Sequence, residues 1–302
     1  MEEDLAQDHP EVTRLAFRCG YLGDRFSGSQ VQSGARTVEG EFIAACLRLS
    51  LFPDPRAGRF QAAGRTDRGV HARGQVFCIS TPFPDRAINL LRYHLPADLW
   101  VTGVARVAPG FHPRHGAIHR TYRYFFGERD LDVQPMDRAA RAFEGTFDFS
   151  LFARPDGRDP VRTVLSARVF EEAGIVVFEV RAESFLWHMV RYMASALRLV
   201  GTGEADEKLV SSRLSGDPRG RLSPAPPGGL VLWDVSYGFP FHPLDAGKKA
   251  RTYLEREYLS SRVRACVAGH LAEDACPCGS LAPPREEIPL PRFPARAAGN
   301  AA

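Results

Sequence analysis

Residues 63–72 read Ala63-Gly64-Arg65-Thr66-Asp67-Arg68-Gly69-Val70-His71-Ala72 and hold one carboxylate between two glycines. Glycine lets a backbone turn tightly and approach a ligand closely. Arg65 and Arg68 place positive charge on both sides of Asp67, which favours its ionised form, the form that a nucleophile needs. The alternative interpretation is an ordinary Asp turn with solvated arginines, which is the commoner outcome for a generic Gly-x-x-Asp-x-Gly pattern.

The rest of the chain has the composition of an ordinary globular protein. It has 302 residues, of which 44% are hydrophobic and 25% charged, with a net charge of +3. No stretch approaches the ~18 apolar residues that span a bilayer. The first eight residues are acidic and lack the apolar block of a secretory signal. We therefore expect a cytoplasmic protein that does not associate with a membrane.

Positive charge is clustered around two segments. Residues 56–73 carry five Arg against Asp67 alone, and residues 111–129 carry four Arg against one Glu, with three His interleaved. Only three of the 39 basic residues are Lys. Arginine binds phosphate and stacks on bases, so this density suits RNA. A genome that prefers Arg codons would give the same excess of Arg over Lys, so this excess alone does not show that the protein binds RNA.

Hydrophobic patterns along the chain predict a mixture of strands, hairpins and helices. The predicted strands are 14–20, 75–80, 100–107, 121–126, 164–170, 175–181 and 230–235. One predicted helix begins after the cap residue Thr37. Four further helices are predicted at residues 85–93, 136–143, 185–200 and 248–272. Because strict alternation of strand and helix is missing, this order predicts an α+β fold.

Arg191 and Tyr122 are two further residues whose surroundings can be judged from the sequence. The predicted helix 185–200 is apolar nearly all round, so it should be buried, and a buried Arg191 is costly unless it pairs with a carboxylate. The alternative is an Arg that snorkels to the surface. Tyr122 lies in a predicted strand, where an aromatic residue needs no special role.

Several segments together resemble the TruA-type tRNA pseudouridine synthases. Residues 63–72 look like the family signature Gly-Arg-Thr-Asp-x-Gly-Val-His. Further similar segments are Gln30-x-Gln32, Thr37-Val38-Glu39-Gly40, Phe111-His112-Pro113-Arg114, Arg120-Thr121-Tyr122-Arg123-Tyr124 and Phe185-Leu186-Trp187-His188-Met189-Val190-Arg191. The last of these corresponds to the family pattern Phe-x-x-His-Met-Val-Arg. The resemblance spans about residues 12–245.

One loop departs from the family pattern. Tyr21-Leu22-Gly23 and Gly28-Ser29-Gln30 stand where the family usually has Tyr-Asp-Gly and Gly-Trp-Gln. The missing Asp and Trp leave open which contacts this loop makes and which tRNA positions are modified.

The resemblance implies an isomerase that converts uridine to pseudouridine in the anticodon stem-loop of tRNA, at about positions 38–40, without a cofactor. It implies that Asp67 is the nucleophile, that Arg191 pairs with it and that Tyr122 stacks on the target base. The RNA contacts expected from it are Arg65, His71, Gln75, His112 and Arg114.

The resemblance also implies an α+β fold of two related halves around a basic cleft. The halves would span residues 12–112 and 113–245, each with a mixed or antiparallel sheet flanked by helices. Members of the family are usually dimeric, so a homodimer is expected.

Residues 246–302 lie beyond the resemblance and are expected to form a helix followed by a disordered tail from residue 283. Four candidate zinc ligands occur there: Cys266, His270, Cys276 and Cys278. Their Cys-x-Cys spacing is not the usual Cys-x2-Cys, so the sequence disfavours zinc, and we expect no metal.

Two other functions compete with an isomerase. An inactive RNA-binding module would be expected to have lost Asp67, which is present. A glycosidase or nuclease would need a second acidic residue, and residues 55–84 contain no other Asp or Glu.

Overall fold

The computed structural model describes residues 11–218 and 222–275, including ten β-strands and six α-helices. The strands are β1 (Thr13–Tyr21), β2 (Gln61–Ala62), β3 (His71–Thr81), β4 (Leu99–Val107), β5 (His119–Phe125), β6 (Gly145–Asp148), β7 (Val161–Glu172), β8 (Ile175–Ala182), β9 (Leu230–Ser236) and β10 (His242–Pro243). The helices are α1 (Val38–Arg48), α2 (Pro84–His94), α3 (Val133–Arg141), α4 (Met189–Gly201), α5 (Leu209–Leu214) and α6 (Lys248–Ala275). Every predicted strand and helix has a counterpart, and β2, β6, β10 and α5 were not predicted.

The strands form one mixed sheet in the order β10-β4-β1-β3-β9-β5-β8-β7-β6, with β2 paired to β3 outside this order. All neighbouring pairs are antiparallel except β3 and β9, which are parallel. That parallel pairing consists of His71 opposite Val231 and Ala72 opposite Leu232. The α+β class is confirmed, whereas the division at residues 112 and 113 and the basic cleft stay predictions.

Burial alternates along β5, which lies beside β9 in this sheet. Arg120, Tyr122 and Tyr124 are buried, and the residues between them are partly exposed. The helix α4 packs against this strand. Alternate side chains of a strand point to the same face of its sheet, so the buried side chains of β5 lie on the face that α4 covers. Tyr124 is a buried core residue.

The predicted helix 185–200 is wrong at its beginning. The helix starts at Met189, and His188 has a φ of 63°, in the left-handed region that interrupts a right-handed helix. The amide of Met189 donates to the carbonyl of Leu186 at 3.2 Å and closes a turn. Residues 185–188 thus form a loop, which leads from β8 into α4.

The predicted C-terminal helix is confirmed as α6, and its first turns attach to the rest of the protein. Ala250 is buried, and Lys249 Nζ donates to the carbonyl of Leu95 at 2.8 Å. The predicted disordered tail lies outside the described residues. None of the helices in the described part of the chain is both long and apolar enough to cross a membrane.

Candidate active site

Asp67 lies in the loop between β2 and β3, just before the junction of β3 with β9. Its side chain is 33% exposed and meets three donors. Trp187 Nε1 donates to Oδ1 at 3.2 Å, while His188 Nε2 and Arg191 Nη1 lie 3.0 and 3.3 Å from Oδ2. The predicted contact between Arg191 and Asp67 is confirmed.

Arg191 is held from a second side. Its Nε donates to the carbonyl of Ala225 at 2.7 Å, and the amide of Ala225 donates back to the carbonyl of Arg191 at 3.0 Å. With its side chain only 12% exposed, the guanidinium has little freedom to turn away from Asp67. A charge-assisted contact is thus presented to the carboxylate in a fixed direction.

His188 is a neutral partner of Asp67 rather than a cation. Burial lowers the pKa of His188; the charge of Asp67 acts in the opposite direction, and Arg191 and Arg154 lower the pKa further. A neutral ring can donate to an ionised carboxylate only through a protonated nitrogen. Nε2 is the ring nitrogen that faces Asp67, 3.0 Å from Oδ2, so a hydrogen bond from the neutral ring to the carboxylate requires the proton on Nε2.

Trp187 caps Asp67 at the protein surface. The indole is 39% exposed, and the guanidinium of Arg154 lies 4.4 Å from its ring centroid. The backbone amide of Arg154 also donates to the carbonyl of Trp187 at 2.9 Å. Trp187 and His188 belong to the predicted apolar helix 185–200, and neither contact with Asp67 was predicted. The family pattern was a signal for His188, but Trp187 lies at one of its variable positions.

Tyr122 projects from β5 and is 9% exposed. The ring of Phe185 packs edge-on against it, with 5.0 Å between the centroids. Burial raises the pKa of Tyr122 to about 12; the charge of Arg120 opposes this rise and that of Asp67 adds to it. The phenol therefore keeps its proton at neutral pH.

The Asp67 loop is anchored through its neighbour Thr66. Tyr21 Oη and Thr66 Oγ1 lie 2.7 Å apart. Ser29 Oγ accepts from the amide of Thr66 at 2.8 Å, and the amide of Ser29 donates to the carbonyl of Thr66 at 3.0 Å. Ser29, which stands where the family usually has Trp, is fully buried. This departure from the family pattern thus supplies an anchor for the segment that carries Asp67.

Arg120 joins three segments around the site. Its guanidinium donates to the carbonyls of Glu183, Ala63 and Arg114 at 2.8, 3.0 and 2.7 Å. The side chain is buried, and no carboxylate among the described residues forms a salt bridge with it. Ala63 leads into the Asp67 loop, and Glu183 precedes the loop 185–188. Arg120 belongs to one of the segments that resemble the family, but no role at the site was predicted for it.

Arg65 and Arg114, two predicted RNA contacts, are exposed. Partial burial lowers the pKa of Arg114, and the charges of Arg158, Arg65 and Arg120 lower it further. Arg65 and Arg114 therefore repel each other, whereas the charge of Arg158 is offset by its salt bridge with Asp156, which itself raises the pKa of Arg114. An anion bound among them would relieve that repulsion.

The other three predicted RNA contacts are engaged within the protein. His71 Nδ1 accepts from the amide of Gly23 at 2.9 Å, and its Nε2 lies 3.1 Å from the carbonyl of Gly228. His112 Nδ1 accepts from the amide of Arg114 at 3.1 Å. Gln75 is fully buried and donates to the carbonyl of Gly64 at 2.9 Å. A direct RNA contact by Gln75 does not fit this burial.

The described residues contain no group of three or more His, Cys, Asp or Glu placed to hold a metal ion. Cys266 is exposed on α6. Cys276 and Cys278 lie outside the described residues, so the expectation about zinc at these positions stays a prediction.

Comparison with known proteins finds similarity along most of the chain. A family model described as tRNA pseudouridine synthase matches residues 139–238. A protein named tRNA pseudouridine synthase A from Methanosphaerula palustris is 52% identical, over 85% of this chain and 92% of its own length. Proteins of the same name from Methanoculleus marisnigri and Thermococcus kodakarensis are 50% and 42% identical, over 86% and 85% of this chain and 96% and 97% of their own lengths.

Among solved structures, a chain from "Crystal Structure of a Cbf5-Nop10-Gar1 Complex" is similar at 15% identity and a TM-score of 0.28. The match covers 65% of this chain and 55% of that chain. A similarity at this level supports no conclusion about function.

Proposed function

This chain belongs to the TruA-type tRNA pseudouridine synthases, and from that premise we propose that Asp67 is the nucleophile that isomerises uridine in the anticodon stem-loop, at about positions 38–40. Membership in the family makes the protein an isomerase that modifies tRNA. The observation that carries the finer proposal is the convergence of Trp187, His188 and Arg191 on the partly exposed carboxylate of Asp67.

The two oxygens of Asp67 differ in how firmly they are held. Oδ2 meets both His188 and Arg191, whereas Oδ1 meets the indole N–H of Trp187. An oxygen with fewer donors gives up less hydrogen bonding when it forms a bond to carbon. Oδ1 is therefore the attacking atom in this proposal, and Oδ2 stays anchored.

The reaction balances without a cofactor. Asp67 attacks ribose C1′ and the bond between C1′ and uracil N1 breaks. The uracil then turns and attacks C1′ through C5, which breaks the bond between C1′ and Asp67 and restores the free carboxylate. The proton of C5 leaves and N1 takes up a proton, so no electron donor or acceptor is needed. Arg191 is suited to its role because a guanidinium stays charged at any working pH and orients the carboxylate throughout.

Tyr122 is proposed to stack on the target base. Since its raised pKa keeps the phenol protonated, it can donate but not accept a proton near neutral pH. Arg65 and Arg114 are proposed to bind backbone phosphate, and His112 to support them. His71 and Gln75 are proposed to act by holding Gly23, Gly228 and Gly64 in place.

The proposal further includes two α+β halves that form a basic cleft, a homodimer and a cytoplasmic location. The clustered arginines at Arg65, Arg114 and Arg158 support the basic character of such a cleft.

The test uses tRNA labelled with tritium at uridine C5, because formation of the new carbon–carbon bond releases that hydrogen to water. Asp67→Asn should abolish release and keep the tRNA dissociation constant within about twofold, since the amide preserves shape but is not a nucleophile. Asp85→Asn, which changes an exposed carboxylate on α2, is the matched control and should leave release unchanged. Turnover by Asp67→Asn would contradict the nucleophile, and pseudouridine mapped outside the anticodon stem-loop would contradict the site of action.

A further inference from the structure

An exposed tryptophan beside a nucleophile is unusual because a large apolar ring normally gains free energy by burial. Trp187 is 39% exposed, although its N–H contacts Asp67 Oδ1 at 3.2 Å. It occupies a variable position of the family pattern, so the motif does not explain the choice of residue.

Trp187 belongs to a pair that is built from two chain segments. Arg154 follows β6 and lies over the indole ring at 4.4 Å, and its amide bonds to the carbonyl of Trp187 at 2.9 Å. The backbone bond fixes the two residues relative to each other without using either side chain. The ring of His188 lies 5.1 Å from the indole and supports it from within the site.

The charge of this pair is not neutralised by the protein. Arg154 is exposed, and no carboxylate in the described part of the chain forms an ion pair with it. The nearby Arg191, whose charge also acts on His188, is by contrast paired with Asp67. An aromatic ring with a free guanidinium is complementary to a nucleotide, in which a flat base adjoins a phosphate.

We propose that Trp187 and Arg154 form a binding site for a nucleotide that flanks the target uridine, with the base stacked on the pair and the phosphate near Arg154. This inference rests on the proposed function, in which the target uridine itself approaches Asp67. The indole touches Asp67 through its N–H edge, so its ring extends away from the reacting carbon. Neighbouring bases in a strand stack about 3.4 Å apart, which places the next nucleotide within reach of that ring.

Two substitutions at residue 187 separate the ring from the N–H. Trp187→Phe keeps an aromatic face and loses the donor to Asp67, so it should lower kcat while the tRNA dissociation constant stays within about twofold. Trp187→Leu loses both and should also raise the dissociation constant about tenfold, within the range for loss of one stacked base. Trp233→Leu is the matched control, because Trp233 also packs against arginines, Arg73 and Arg123, but contacts none of the site residues.

The decisive measurement combines these variants with altered RNA. Two anticodon stem-loop RNAs are compared, each lacking the base of one of the two nucleotides that flank the target uridine. One of these two RNAs should bind the unsubstituted protein about tenfold more weakly than the intact RNA. Trp187→Leu should show no further loss with that RNA, because the partner of the ring is already absent. Arg154→Gln should reduce the salt slope of binding by about one phosphate contact.

Equal dissociation constants for Trp187→Phe and Trp187→Leu would overturn the proposal and leave Trp187 only as a donor to Asp67. Additive losses from the Leu variant and the missing base would also overturn it. These binding results do not depend on turnover. Failure of the unsubstituted protein to release tritium would instead contradict the proposed function.

Discussion

Replacing Arg120 by Met would remove the guanidinium that joins three segments around the site. Three hydrogen bonds to backbone carbonyls would be lost, those to Glu183, Ala63 and Arg114. Each costs about 1 to 1.5 kcal/mol, because the remaining carbonyl is at least partly shielded from water. We expect the free energy of unfolding to fall by about 3 to 4.5 kcal/mol, which an ordinary domain with about 5 to 15 kcal/mol can survive at low temperature.

Activity should fall further than stability alone explains. Ala63 leads to Asp67, and Glu183 leads to Trp187 and His188, so both sides of the carboxylate contact depend on the same guanidinium. A displacement of about 1 Å at a catalytic group can cost about 100-fold in rate. We expect kcat of Arg120→Met to fall about 10- to 100-fold. Arg120→Lys keeps the charge but not the planar fork and should recover only part of the loss.

Arg123 supplies the matched control on the same strand. It points to the other face of the sheet and pairs with Glu179 and Glu172 at 2.7 and 2.9 Å. Arg123→Met should lower stability and leave kcat unchanged. Urea unfolding would measure stability, and tritium release well below the onset of unfolding would measure turnover. Similar kcat values for Arg120→Met and Arg123→Met would refute the positioning role of Arg120.

Three further predictions follow from contacts around the site and at α6. Arg191→Met should lower the free energy of unfolding by about 1 to 3 kcal/mol. This is less than for a fully buried ion pair, because Asp67 is 33% exposed. A double-mutant cycle of Arg191→Met with Asp67→Asn that shows no coupling energy would contradict the pairing. Because burial lowers the pKa of His188, the unfolded chain takes up its proton first, so stability should be lost as the pH falls below about 6.5. His188→Gln should flatten the urea stability profile below that pH, and an unchanged slope would count against this. Removal of residues 259–302 should leave the free energy of unfolding and the turnover rate unchanged, since α6 attaches to the rest of the protein through Lys249 and Ala250. Lower turnover on a minimal anticodon stem-loop would show that the removed part contributes to the site.

Much of the chemistry could be predicted from residue types and their spacing. Residues 63–72, in which glycines and arginines surround one carboxylate, resemble a family signature, and that resemblance predicts Asp67 as the nucleophile. An Arg in an apolar stretch indicated that Arg191 needs a carboxylate, and the resemblance implied that this carboxylate is Asp67. Strands and helices followed from local periodicity, which depends on neighbours in the chain rather than on tertiary contacts.

Only the tertiary structure decided how the site is completed. The left-handed conformation of His188 separates the loop 185–188 from the helix that begins at Met189, and in that loop Trp187 and His188 contact Asp67. The role of Arg120 depends on backbone carbonyls, which every residue has, so its partners left no mark in the sequence. The burial of Gln75 could not be predicted for the same reason, since its side chain donates to a backbone carbonyl, that of Gly64. Sequence patterns report which side chains a segment carries, whereas contacts between residues more than 100 positions apart depend on how β3, β9 and β5 align in the folded sheet.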